Sequence, residues 1–189
     1  MDHGVVSNGV VRRSVGDNLV GRVRAQGKTT AAAAYHWVSE LYVACPFDRH
    51  RDRILIDGAG DITHGLFYWD DAYPDSHLFA DAEWLIRAKA PDFLLLHPMN
   101  VDDAGHKHGG DSISYRNAAR VQGDLLARHL PSWAEAGYTV IVTADHGMAE
   151  QIQVADRIEN LVAHELVFVA QAIGVDHTVF IQCHDVVEA

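Results

Sequence analysis

Basic residues are scarce in this chain. Its 15 Lys and Arg face 26 Asp and Glu, which leaves a formal net charge of -11. A surface this acidic repels a nucleic-acid backbone, so nucleic acid is not an expected partner. Binding a small anion would need a local source of positive charge. Cysteine is rarer still: Cys45 and Cys183 form no Cys-x-x-Cys pair and no disulfide framework, and both read as free thiols. No apolar run is long enough to span a membrane. The start has no basic segment followed by an apolar one, so no secretory leader is expected and the cytoplasm is the default location. Internal repeats, low-complexity runs and interdomain linkers are lacking as well. What is present is a hydrophobic fraction of 48%, ordinary for a globular protein, in 189 residues, enough for one domain with a real core. Histidine is abundant, at 13 residues, and histidine is the commonest metal ligand.

Two stretches give that histidine content a context. Tyr138-Thr139-Val140-Ile141-Val142-Thr143-Ala144 is a β-branched apolar run that reads as a buried strand, and Asp145-His146-Gly147-Met148 follows where it ends. Asp92-Phe93-Leu94-Leu95-Leu96-His97 reads as a second strand, followed by a polar loop from Asn100 to Gly110 that contains Asp102, Asp103, His106 and His108. Between them, Ser114 to about Leu130 reads as a helix with Ala118, Val121 and Leu125 on one face and Arg116, Asn117 and Arg120 off it. Pro131 and Gly137 punctuate the return. A strand-helix-strand unit of this kind crosses over right-handed and pairs its strands in parallel, which brings both polar loops to one sheet edge. Carboxyl ends of strands are where ligands collect in open α/β sheets, and Asp and His suit Zn²⁺ or Mn²⁺. Taken singly, each stretch is equally well a strand ending in a polar turn.

Elsewhere the chain reads as follows. Residues 1 to about 20 are loop and short extended pieces. Lys28 to Val43, with four successive alanines, reads as a helix. Ile54-Leu55-Ile56 is a short strand or buried turn. Leu66 to Pro74 is aromatic and acidic, either a packed loop or a wall that stacks on a flat leaving group. Asp75-Ser76-His77 enters a helix that runs from Leu78 to Lys89, with Leu78, Ala82, Leu85 and Ile86 facing inward. Ala149 to His164 reads as a helix, and 166–170 and 178–181 as strands. Gly27-Lys28-Thr29 is not a phosphate-binding loop, because five residues rather than four separate Gly21 from Gly27 and no buried strand precedes.

The motifs Asp102-x-x-Gly105-His106-x-x-Gly109 and Thr143-Ala144-Asp145-His146-Gly147-Met148, in this order, resemble those of the type I phosphodiesterase/nucleotide pyrophosphatase family of the alkaline phosphatase superfamily. His3-Gly4-Val5-Val6-Ser7-Asn8 is similar to a further family segment and places Asn8 near the nucleophile. The resemblance, over roughly residues 1 to 148, implies an α/β fold: an alkaline-phosphatase-like, mostly parallel sheet flanked by helices, with 1–189 forming a single, incomplete domain. It implies two divalent metal ions, usually zinc with manganese as the alternative. Asp102 and His106 match ligands of one ion, and Asp145 and His146 match ligands of the other. Asp103 is the neighbouring alternative to Asp102, and His108 a supporting group beside His106. The implied activity is two-metal hydrolysis of a small phosphate-ester or nucleotide substrate.

Some family parts have no counterpart in the sequence. The family's Thr or Ser nucleophile lies just before the His-Gly-Val segment, where this chain has only Met1 and Asp2, and its first metal-binding Asp lies earlier still. No catalytic residue is therefore assigned. For the last ligand histidine, His164, His177 and His184 are candidates, none followed by Gly. A chain clipped at its start is the expectation. An inactive metal-binding fragment is one alternative, and a sugar-phosphate mutase relative another. A sulfatase relative is disfavoured, because Cys45-Pro46-Phe47-Asp48-Arg49 misses the Cys-x-Pro-x-Arg spacing.

Overall fold

The computed structural model describes residues 12–14, 16–144, 148 and 178–183, the last group by its backbone alone. The described elements run α1 (Leu19–Ala25), β1 (Thr30–Tyr35), α2 (His36–Tyr42), β2 (Ile54–Leu55), β3 (His64–Tyr68), α3 (Asp75–Lys89), β4 (Phe93–Leu96), α4 (Asn100–His108), α5 (Ile113–Glu135), β5 (Thr139–Ala144) and β6 (Thr178–Cys183). The strands form one sheet in the order β2-β3-β1-β4-β6-β5. Every pairing is parallel except β2 with β3. The expected α/β class and mostly parallel sheet are therefore what the chain forms.

The alanine run is not helical. Ala31 to Ala34 form the middle of β1 and are at most 1% exposed. Alanine is the best helix former, yet its small Cβ also suits a strand that helices must approach from both sides. Side chains alternate across the sheet with a period of two. Ala31 and Ala33, with Leu94 and Leu96 of β4, pack against Leu78, Phe79, Ala82 and Leu85 of α3. Ala32 and Ala34, with Phe93 and Leu95, pack against Val20 of α1 and Val38 of α2. Each fully buried Leu here contributes about 1.5–3 kcal/mol of transfer free energy. Tertiary burial thus overrides a local preference of a few tenths of a kcal/mol per residue. Thr29 pins the start of this strand to that of β4, its backbone N–H and hydroxyl both donating to Asp92 Oδ2 at 2.7 and 2.8 Å.

Other expectations hold or shift. The inward face of α3 is as expected: Leu78, Ala82, Leu85 and Ile86 are all buried. On α5 the buried residues are Tyr115, Gln122, Leu125 and Trp133, while Val121 is 46% exposed, so the inner face is rotated from the Ala118-Val121-Leu125 stripe. Pro131 lies inside α5 rather than ending it, and the helix stops before Gly137, whose φ of +88° favours glycine. The segment read as a polar loop from Asn100 to Gly110 is instead helical over Asn100–His108, as α4. β4 and β5 run parallel but do not pair directly, because β6 lies between them. Residues 178–181, expected as a strand, belong to β6. The expected helix over 149–164 and strand over 166–170 lie outside the described residues, as does the segment around Asn8.

Candidate functional site

Parallel pairing sends the carboxyl ends of β1, β3, β4, β5 and β6 to one rim of the sheet. This is the edge at which open α/β sheets bind ligands. α4 begins there, after the short link His97-Pro98-Met99 that leaves β4.

α4 orders the acidic and histidine-rich segment into two side-by-side pairs at i, i+4, the spacing that puts residues on one helix face. Asp102 Oδ1 stands 3.2 Å from His106 Nε2. Asp103 instead meets Lys107, its Oδ1 2.8 Å from the ammonium. The carboxylate beside the imidazole is thus that of Asp102, while its neighbour is spent on a cation. Asp102 is buried and its His106 partner largely exposed, with side chains 12% and 66% accessible. His108, the last helical residue, is exposed. Gly109, with φ +86° and ψ 154°, then ends the helix in a conformation that side-chain-bearing residues avoid.

The donor pair fits a metal ion by chemistry and by spacing. Two O or N ligands about 2.0–2.2 Å from one tetrahedral Zn²⁺ lie roughly 3.4 Å apart, close to the Asp102–His106 separation. Two ligands do not complete a site. Among the described residues no group of three or more His, Cys, Asp or Glu is gathered to hold an ion. Asp145 and His146, the other expected pair, lie outside the described residues, as do His164, His177 and His184. Ala144, just before Asp145, and Met148, two residues after His146, are described. Ala144 is the last residue of β5. Met148 lies against the first motif: a Cβ at Gly105 would meet its Cε at 2.6 Å and its Cγ at 2.9 Å, and a Cβ at Gly110 would meet its carbonyl oxygen at 2.7 Å. The two motifs therefore touch through Met148 of one and Gly105 of the other, with Gly110, just beyond the first motif, also against Met148. Neither glycine has a positive φ. Both are required by close approach.

The rim holds groups that the sequence alone did not single out. Asp75, the first residue of α3, is buried, and its Oδ1 accepts from the backbone N–H of Met99 at 3.2 Å and of Asn100 at 3.4 Å. Burial raises its carboxyl to about 6, against the lowering effect of these two bonds. His36 follows β1, and its buried Nδ1 has no hydrogen-bond partner among the described residues. His97 follows β4, is wholly buried, and meets the edge of Trp37 at 4.9 Å between ring centres. No spacing rule links these residues, and reading 28–43 as one helix hides His36 from the rim.

The aromatic stretch divides between core and surface. Phe67 and Tyr68 are buried in β3, Tyr73 stacks on Tyr68 at 4.8 Å, and Tyr68 donates to the carbonyl of His97 at 2.8 Å. Trp69 is 41% exposed, with the guanidinium groups of Arg49 and Arg53 over its ring at 5.6 and 5.8 Å. Most of the stretch is therefore packing, and only Trp69 is left as an open ring.

A doubly covered, mostly parallel sheet with a carboxylate-imidazole pair at its carboxyl rim is the architecture of an alkaline-phosphatase-like α/β domain. The chain belongs to the type I phosphodiesterase/nucleotide pyrophosphatase family, whose model matches residues 2–174. That family comprises generally metal-dependent hydrolases of small phosphate esters. No curated protein and no solved structure matches significantly. No helix among the described residues is long and apolar enough to cross a membrane.

Proposed function

We propose that this chain, folded as a single domain, is a phosphodiesterase or pyrophosphatase that works with two divalent metal ions, zinc in the first instance. Asp102 and His106 would hold one ion, and Asp145 and His146 the other. The observation that supports this most is the juxtaposition on α4: a carboxylate and an imidazole 3.2 Å apart, next to the glycine on which Met148 of the Asp-His-Gly-Met motif rests.

When bound, paired cations neutralise a phosphoryl group, activate a nucleophile and stabilise the departing oxygen. The residues named supply the matching electrostatics. The carboxylates of Asp102 and Asp145 offset part of the ions' charge, and neutral imidazoles bind without adding any. Asp102 is shielded within the helix packing, so its carboxylate is held in one place. His106, largely exposed, brings its Nε2 to within 3.2 Å of that carboxylate.

The test is a zinc titration of the purified chain by calorimetry, run alongside hydrolysis of an aryl phosphodiester. Zinc uptake that falls at least tenfold in affinity in both Asp102→Ala and Asp145→Ala is the expected result, in line with loss of a ligand. If the chain takes up no zinc, or either variant binds it as the parent does, the assignment is wrong.

A further inference from the structure

α4 carries the proposed ligand pair, yet its cap residue, Met99, supplies no side-chain bond to its first turn. The first N–H groups of a helix lack partners within the helix and must find them elsewhere. Here they find them on an element some two dozen residues earlier in the chain. Asp75 Oδ1 accepts from the N–H of Met99 at 3.2 Å and of Asn100 at 3.4 Å. Asn100 answers in kind, its Oδ1 accepting from the N–H of Asp75 at 2.9 Å. The Asn100 Nδ2 donates to two further carbonyls, of Asp71 at 3.2 Å and of Tyr73 at 3.0 Å. Five hydrogen bonds thus join α4's entry, α3's entry and the loop between β3 and α3. That loop is itself anchored: Tyr73 stacks on Tyr68 and donates to Asp81 at 3.0 Å.

We infer that Asp75 and Asn100 are positioning residues for the proposed reaction: their reciprocal clasp sets the start of α4 and, through it, where Asp102 and His106 stand. The inference rests on the metal-site reading given above. The arithmetic of the helix supports it. Asp102 lies two residues after Asn100, within the same first turn, so a loosened entry frays the turn that holds the carboxylate. The chemistry of the pair is also specific. Asn presents one acceptor to the Asp75 N–H and donors to two carbonyls. An aspartate at the same place would turn those donors into an anion facing two carbonyl oxygens and the Asp75 carboxylate.

The experiment uses the full chain and two readouts. Amide hydrogen exchange of metal-free protein follows the segment 99–108, and a zinc titration follows the ligand pair. Asp75→Ala, Asn100→Ala and Asn100→Asp should each speed exchange across 99–108 and weaken zinc binding roughly tenfold to a hundredfold, the loss seen when partners that orient metal ligands are removed. Asp75→Asn keeps an acceptor oxygen in place and should retain both protection and zinc affinity to within about threefold of the parent, since a neutral acceptor replaces a charged one. Should Asp75→Ala fail to fold, Asn100→Ala and Asn100→Asp carry the same comparison. Unchanged exchange over 99–108 in the variants overturns the clasp. Faster exchange with zinc affinity unmoved overturns the positioning role while leaving a structural cap. A parent protein that takes no zinc overturns the site reading itself, and the exchange data separate that outcome from a failure of the clasp.

Discussion

Adding one methyl group to Gly105 should oppose two known effects and reveal which wins. Gly105 is interior to α4, and in a helix interior alanine is better than glycine by about 1 kcal/mol. On propensity alone, Gly105→Ala would stabilise the protein. The methyl would nevertheless stand 2.6 Å from Met148 Cε, 2.9 Å from its Cγ and 3.3 Å from Cδ2 of buried Tyr115. The Cε end of methionine can swing aside, but Cγ yields only by a χ1 rotation that carries the whole side chain to another rotamer. Overpacking of this kind costs about 1–3 kcal/mol. The expected net effect is therefore a destabilisation of up to about 2 kcal/mol, combining the propensity gain with the overpacking cost.

Gly123→Ala provides the control. Gly123 is also inside a helix, α5, and a Cβ there meets nothing within 4 Å. It should stabilise by about 1 kcal/mol. Urea unfolding followed by far-UV circular dichroism gives both values from the midpoints, provided the slopes match. Met148 is three residues from Asp145, so Gly105→Ala should also weaken zinc binding, whereas Gly123→Ala should not. If Gly105→Ala stabilises as much as Gly123→Ala and leaves zinc binding intact, the close packing of the two motifs is refuted.

Further outcomes follow from the same geometry. Asp102→Asn should lower zinc affinity, whereas Asp103→Asn, which loses only a solvent-screened i, i+4 partner, should leave it unchanged; calorimetry decides, and equal effects would undo the choice of Asp102. Asp75 gives a pH signature. Its folded carboxyl is raised from 3.8 to about 6 by burial, so the fold holds the proton more tightly than the unfolded chain, and stability falls as pH rises through that window and is level above it. Those pKa values correspond to roughly 3 kcal/mol in all, and Asp75→Asn should flatten the dependence; parallel urea midpoints for the two proteins between pH 4 and pH 7 would refute this. Ala33→Leu, in a wholly buried strand site, should cost about 1–3 kcal/mol by overpacking, and a variant as stable as the parent would contradict the packing of α3 on that face of β1.

Much of the architecture is legible in the amino-acid order because burial leaves a periodic trace. Phe93-Leu94-Leu95-Leu96 reads as a strand since a doubly covered parallel strand must be apolar throughout. Thr139 to Ala144 also reads as a strand, but the expected burial is not met, because β5 ends the sheet order and its residues are partly or well exposed. α3 reads as a helix since Leu78, Ala82, Leu85 and Ile86 repeat at helical spacing. The motif residues Asp102 and His106 are visible by type and spacing alone. Three matters were settled only by the folded chain. Ala31 to Ala34 became a strand because the sheet needed small side chains between two helical layers, a demand no local propensity records. β6 was inserted between β4 and β5, a pairing between segments far apart in sequence. α4 became a helix in a stretch whose glycines read as loop, because its first turn is capped by Asp75 from α3 and its Gly105 faces Met148. Local order encodes which side chains are apolar and how they alternate. It does not encode which distant hydrogen-bond donor, acceptor or neighbouring backbone will satisfy them.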